Sequence, residues 1–303
     1  MSTAALRIEE TVVAGHPSLV VDRGGPRVVI TTDVGPRILE VALPDGTGEG
    51  LLASLPDLHI ERDGWPRFQL HGGHRLWAGP EMPETTYLPD AGPVEVARTT
   101  DGVSCSYLET QTGIRRTIGV LPGADSVVVQ HRLSNEGSTA VEVAPWAITM
   151  CTPGGEAWLP RYTGPGDTHG VLPNGSLVTW PYTRLADERL TLADPIIRLR
   201  AVAGAPAPYK IGIPGRAGWI AYRLGGAVLI KRVTYLDGAT YADLGASLQC
   251  YSGGDFLEIE TLGPLVSLAP GASIEHGETW SLHAVDAGAG ADDVLRLLGL
   301  TGD

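Results

Sequence analysis

Residues 94–150 read VEVARTTDGVSCSYLETQTGIRRTIGVLPGADSVVVQHRLSNEGSTAVEVAPWAITM. Five runs rich in β-branched and aliphatic residues, 94–98, 103–110, 114–120, 126–133 and 140–150, follow one another. Asp101-Gly102, Thr112-Gly113, Pro122-Gly123 and Asn135-Glu136-Gly137 separate them. Turn residues that interrupt such runs about every ten positions are the pattern of an antiparallel β-sandwich. The same alternation extends in both directions. Upstream, runs at 18–22, 27–32 and 38–43 are divided or closed by Gly24-Gly25, Gly35-Pro36 and Asp45-Gly46. Downstream, strand-like runs recur at 178–182, 196–202, 209–213, 219–224, 227–235, 247–251, 256–262 and 273–284. The one helix expected is short and C-terminal, over 292–298, with Asp292-Asp293 in its first turn. No repeat, low-complexity tract or linker interrupts the pattern. The expectation is one large all-β sandwich domain spanning 1–303.

Composition narrows the function. Hydrophobic residues make up 43% of the 303 residues, enough for a large core. The net charge of −13 argues against nucleic acid and against anionic membrane surfaces, both of which need a basic face. Three dispersed cysteines, Cys105, Cys151 and Cys250, have no metal-ligand or disulfide spacing. Residues 1–15 lack the apolar run of a signal peptide, and no transmembrane-length run exists. A cytoplasmic chain is expected.

Two irregular regions break the strand pattern, 56–93 and 151–177. The first contains Leu70-His71-Gly72-Gly73-His74-Arg75-Leu76-Trp77-Ala78-Gly79-Pro80-Glu81. Two histidines, an arginine, a tryptophan and a carboxylate in twelve residues suit a ligand-binding loop held on a rigid scaffold. The competing reading is a structural loop in which Trp77 plugs the core and Arg75 pairs with a carboxylate. His71 and His74 match no standard metal spacing, so a metal there is a minority reading. No GxSxG elbow, P-loop or dinucleotide fingerprint is present, and no cofactor is expected.

Period-two reading adds candidates. Glu258 and Glu260 share one face of their run, about 7 Å apart by strand rise, and close carboxylates tend to raise one another's pKa. Lys231 would partner one of them if the two strands were neighbours. Asp243 follows in a turn that could extend the polar patch. Arg37 lies in an Asp33-Val34-Gly35-Pro36-Arg37 connection, at a cleft mouth or in an internal Asp–Arg pair. Trp146 is either a stacking platform for a sugar ring or core. His131 reads as a hydrogen-bonded core residue, and His276 and Glu278 as the wetter start of a strand.

Leu70-His71-Gly72-Gly73 resembles the Leu-His-Gly-Gly segment of the aldose 1-epimerases, the galactose mutarotases, and Gly35-Pro36-Arg37-Ile38 resembles their early Gly-Gly-Arg-Ile turn. Gly72 to Trp77 with Pro80-Glu81, and Phe256 to Glu260 with Leu262-Gly263-Pro264-Leu265 and Pro270-Gly271, resemble the DUF4380 branch of the mutarotase-like superfamily. The resemblance implies a supersandwich with a sugar-sized cleft on a concave sheet. It also implies a glutamate that takes the anomeric proton and a histidine that protonates the ring oxygen. Glu258 or Glu260 would be the base and His71 or His74 the acid, with Arg37, Arg75, Trp77, Glu81, Trp146, Lys231 and Asp243 around the substrate. The strand that carries the acid histidine in mutarotases reads Ala144-Pro145-Trp146-Ala147-Ile148-Thr149 here, without one. Two functions follow: an aldose epimerase-like enzyme using general acid–base catalysis, or a non-catalytic carbohydrate-binding protein on the same fold. A small sugar is the expected partner, and no motif speaks to oligomeric state.

Overall fold

The structure, a computed structural model, describes residues 4–300; the ends of the expected 1–303 domain lie outside the described residues. Two large antiparallel sheets face each other. The first has eleven strands and centres on Arg37–Ala42, His74–Gly79, Val141–Cys151, Leu257–Leu262, Leu248–Ser252 and Tyr209–Ile213, side by side in that order. The second has ten strands, with Trp219–Leu224, Ala227–Val233, Ser273–Ala284, Val127–Asn135 and Ile114–Pro122 as successive neighbours at its middle. The expected meander of 94–133 forms one end of this second sheet. The run 140–150 crosses to the first sheet.

Alternation along each strand fills the space between the sheets. Leu76, Cys151, Leu257, Ile259, Ile211 and Leu248 from one sheet meet Ile118, Val129, Leu133, Ile220, Leu229 and Leu282 from the other in one buried cluster. Burying a side chain such as Ile259 or Leu229 contributes roughly 1.5–3 kcal/mol. A second, smaller cluster lies on the outer face of the first sheet. There Trp77, Trp146, Ile148, Met150 and Leu262 are covered by Phe68 and Leu70 from a hairpin of Ser54–Ile60 and Phe68–Gly72.

The stretch expected as a loop, 70–81, is instead two strands joined at a sharp bend. Phe68–Gly72 belongs to the hairpin and His74–Gly79 to the main sheet. The bend works because Gly72 and Gly73 hold φ of +90° and +69° while the backbone passes close to two neighbours. A Cβ on Gly72 would lie 2.0 Å from the Ala53 carbonyl oxygen, and one on Gly73 would lie 2.2 Å from that of Ile38. The expected C-terminal helix is present as Ala291–Leu297, and a single helical turn, Pro83–Thr86, accompanies it; Ala242–Gly245 is a left-handed turn, with φ +50° at Asp243 and +56° at Leu244. No helix among the described residues is long and apolar enough to cross a membrane.

Candidate functional site

Because 74–79 is a strand, its side chains alternate between the two faces of the first sheet. Arg75 and Trp77 point outward, while His74 and Leu76 point into the sandwich. The same rule turns Trp146, Glu258 and Glu260 outward, and Thr149, Ile259 and Thr261 inward. Arg75, Trp77, Trp146 and Glu258 of this outward set, with Lys210 and Tyr251 from the next two strands, line a pocket of about 220 Å³. Ile60 and Leu70 of the hairpin, Glu81 and Tyr87 after the cis Gly79–Pro80 bond, and Tyr182, Pro208 and Phe256 complete its wall.

Aromatic rings dominate the pocket. Trp77 meets Trp146 edge to face with centroids 5.4 Å apart and meets Tyr87 at 5.5 Å, while Tyr251 packs against Phe256 at 5.7 Å. Two buried ion pairs are set into this apolar surface. Arg75 Nη2 lies 2.8 Å from Glu258 Oε1, with the guanidinium 4.1 Å above the Trp77 ring. Lys210 Nζ lies 2.9 Å from Glu260 Oε2, 4.8 Å from the centroid of Trp146 and 4.9 Å from that of Trp180. Trp146 Nε1 donates to the same Glu260 oxygen at 2.7 Å. Glu260 is wholly buried beneath the wall and supports Lys210 and Trp146, whereas Glu258 faces the pocket directly. Burial pushes the Glu260 carboxyl up to about 7; Lys210 holds it back and Glu258 adds to the rise. Several polar atoms here are buried without a protein partner: Arg75 Nε and Nη1, Trp77 Nε1 and Glu260 Oε1. Tyr87 donates to Glu81 at the rim.

Of the residues proposed from sequence, Arg75, Trp77, Glu81, Trp146 and Glu258 meet in this pocket, with Glu260 beneath it. The rest lie elsewhere. His74 is fully buried between the sheets, back to back with the pocket. Lys231 does not partner Glu258 or Glu260, because its strand belongs to the opposite sheet. Its Nζ points inward to Glu278 Oε1 at 2.8 Å and to Thr149 Oγ1 at 2.9 Å. His276 and Glu278, expected to be wetter, are both buried. Arg37 is buried against Asp90 at 2.9 Å and the Gly72 carbonyl at 3.2 Å, while Asp33 contacts His16 instead. His71 sits beside the His16 ring, in the left-handed region at φ +56°, outside the pocket wall. Burial, with Arg37 nearby, lowers its pKa to about 4. Asp243 accepts from Gln249 Nε2 at 2.6 Å in the Ala242–Gly245 turn, also outside the wall.

The interior histidines form one ordered chain. His131 Nδ1 faces the His276 carbonyl at 2.9 Å, which can only accept, so His131 Nε2 must accept in turn. His74 Nε2, 2.8 Å away, therefore donates, and its Nδ1 accepts from the Thr149 hydroxyl at 2.9 Å. That hydroxyl accepts from Lys231. Thr261 donates to Glu278 and accepts from His276 Nε2, and Trp280 Nε1 donates to Glu278 at 2.7 Å. Burial holds His74, His131 and His276 below the ordinary imidazole range, His276 at about 3. Ligand atoms of His74, His131 and Glu278 lie within 4.8 Å of one another, so a metal could in principle bridge them. The Lys231 ammonium already takes the Glu278 charge, and both imidazoles face each other through a proton, so these residues fit a hydrogen-bond network better than a dication.

Lys210 was not among the residues proposed from sequence. Its strand, Tyr209–Ile213, is buried at every position and shows no alternation. Composition held the signal: of the 22 lysines and arginines only Lys210 and Lys231 are lysines. Both are buried against a glutamate.

No family model matches the sequence, and no curated protein matches it. Solved structures do. A TPR-domain containing protein from Parabacteroides distasonis is 13% identical with a TM-score of 0.59; the match covers 91% of this chain but only 49% of that one, so this chain spans about half its length. A galactose mutarotase-like protein from Lactobacillus casei is 9% identical with a TM-score of 0.53, over 88% of this chain and all of the other. A galactose mutarotase related enzyme from Lactobacillus acidophilus is 11% identical with a TM-score of 0.51, over 89% and 98%. At these identities the likeness is one of architecture: the chain has the galactose mutarotase-like β-sandwich fold.

Proposed function

We propose that this chain binds a monosaccharide-sized sugar in the outer-face pocket and acts on it as an aldose epimerase-like acid–base enzyme. The observation that carries the reading is the pair of glutamate–cation contacts, Arg75–Glu258 and Lys210–Glu260, set among Trp77, Trp146, Tyr87 and Tyr251. Aromatic faces suit the C–H faces of a sugar, and a few fixed polar groups orient its hydroxyls. Glu258, exposed to the pocket, takes the anomeric hydroxyl proton. Lys210, backed by Glu260, is the proton donor for the ring oxygen, in place of a histidine. The ring then opens to the aldehyde and closes on either face. His71 and His74 are assigned no step, since neither lines the pocket. Placement in the DUF4380 branch rests on the motifs at 72–81 and 256–271. A cytoplasmic location is supported by three free, buried cysteines.

The second reading is a non-catalytic sugar-binding protein. The tie of Glu258 to Arg75 favours it, because a carboxylate oxygen already bonded to a guanidinium is less free to accept from a substrate hydroxyl. Saturation-transfer and exchange NMR with a panel of aldoses separates the two. Accelerated anomer exchange that disappears in Glu258→Gln supports the enzyme. Binding without exchange leaves the second reading, and no binding by any aldose removes both.

A further inference from the structure

We propose that Lys210 is a carbonyl-reactive lysine that forms an imine with the open-chain aldehyde of a sugar opened in this pocket. The inference rests on the sugar reading above and goes beyond it, since acid–base epimerisation needs no covalent bond.

Three observations carry it. The first is placement. Lys210 lies at the pocket wall with only 4% of its surface exposed. Among the described residues its one side-chain hydrogen-bond partner is Glu260, and the Trp146 and Trp180 rings also face its ammonium. The carboxylate and the two rings fix Nζ at the cavity wall, where the amine becomes a nucleophile once it has given up its proton to the substrate. The second is the Glu260 Oε1 atom, buried without a partner. A carboxylate with a free oxygen beside Nζ can relay the proton that leaves nitrogen as the carbinolamine forms. The third is usage. A chain that meets every surface need for a cation with arginine keeps only two lysines. Lys231 is enclosed between the sheets, bonded to Glu278 and Thr149. Lys210 is the one at a cavity. Arginine would serve as well in an ion pair, but only lysine can become a neutral amine at accessible pH.

The step balances. Ring opening moves the anomeric hydroxyl proton to Glu258 and the Lys210 proton to the ring oxygen, leaving an aldehyde beside a neutral amine. Nζ attacks the aldehyde carbon, the C–N bond forms and the carbonyl π pair moves to oxygen, giving a carbinolamine after proton transfer from nitrogen. Protonated Glu258 gives its proton to the departing hydroxyl. Water leaves, and a protonated imine remains, with Glu258 again a carboxylate. No oxidant or reductant takes part.

The test is reductive trapping with D-erythrose, an aldose that offers its aldehyde readily, and sodium cyanoborohydride on the whole chain at neutral pH. Peptide mass mapping locates the adduct, and tryptophan fluorescence follows erythrose binding without reductant. Apart from the α-amino group, which reductive alkylation also modifies, we expect one adduct, on Lys210, formed at least tenfold faster than on Nα-acetyl-lysine methylamide, with Lys231 unmodified as the internal control. Glu260→Gln should slow trapping at least tenfold. Lys210→Arg should abolish it, with near-UV circular dichroism reporting that the fold is kept. Fluorescence change with trapping no faster than the free amine overturns the imine and leaves the sugar reading standing. No fluorescence change and no adduct on Lys210 overturns both. Should Lys210→Arg not fold, the wild-type rate against the free amine decides alone.

Discussion

Lys231 Nζ lies 2.8 Å from Glu278 Oε1 between the sheets, with both side chains wholly out of solvent. Burial alone would raise the Glu278 carboxyl, yet Lys231 and the facing imidazoles outweigh it and the net shift is downward. Removing one partner strands a charge in the core, which costs about 3–5 kcal/mol. Lys231→Met should therefore destabilise the chain by that amount in urea. The double variant Lys231→Met/Glu278→Leu should recover a large part of it. Strictly additive costs in the double-mutant cycle would show that the two groups do not act as a pair.

The histidine chain predicts acid sensitivity. His74, His131 and His276 have folded pKa values below the ordinary value, so the folded state favours neutral rings. Their contribution is present above about pH 6.5 and is lost as pH falls, because the unfolded chain takes up protons that the folded chain refuses. His276 alone should make stability fall by roughly 1.4 kcal/mol per pH unit near pH 5, and His74 and His131 act in the same direction. Thr149→Val, which removes the bridge between Lys231 and His74, should lower stability at pH 8 by about 1–3 kcal/mol. A flat stability profile from pH 8 to 5 would contradict the ordered chain.

Glu260 works in the opposite direction. Its folded pKa, about 7, lies above the 4.5 of a free glutamate. Its contribution is greatest below pH 4.5 and is lost as pH rises toward 7. Glu260→Gln keeps a hydrogen-bonding side chain without the titration. The stability of the variant relative to the native chain should therefore rise between pH 4.5 and 7, by on the order of 3 kcal/mol. Matched urea titrations at the two pH values measure it, and a pH-independent difference would place the titration elsewhere.

Much of the architecture is legible in residues 94–150, where turn residues recur between β-branched runs with little ambiguity. The site is legible only in part. Period-two reading puts Glu258 and Glu260 on one face correctly, because that depends on neighbours in sequence. It cannot tell which sheet a strand joins, so the pairing of Lys231 with Glu258 or Glu260 stays conditional on neighbouring strands; its partner, Glu278, comes from the strand next to it. Gly72-Gly73 hid the strand character of 74–79. Once those residues are read as a strand, alternation separates His74 from Arg75 and Trp77 at once. Lys210 was obscured by a strand buried on both faces, which carries no alternation.

The bend at Gly72-Gly73 gives a sharper test. At Gly72 both the positive φ and the 2.0 Å approach to the Ala53 carbonyl oppose a side chain. Gly72→Ala should cost about 3 kcal/mol or more, since a backbone oxygen cannot rotate away as a side chain can. His71 holds φ +56° without being glycine. His71→Gly relieves that strain at some cost in unfolded-state entropy, and the net change should lie within about 1 kcal/mol of zero. Because His71 does not line the pocket, the same variant should bind aldoses within about threefold of the native chain. A loss of tenfold or more would return His71 to the site.

Arg75 supplies the remaining prediction. It is 3% exposed, bonds Glu258 through Nη2 and lies flat over Trp77. Lysine keeps the charge but cannot stack as a planar group, and its point charge would meet Glu258 with different geometry. Arg75→Lys should therefore uncover the Trp77 face and loosen the Glu258 carboxylate together. The expected cost is about 1–3 kcal/mol of stability in urea. Aldose affinity should fall by roughly tenfold, about 1.4 kcal/mol, with a shift in tryptophan emission. If stability falls but affinity does not, Arg75 holds the wall without touching the sugar. If neither changes, the Arg75–Glu258 contact is not a working part of the pocket.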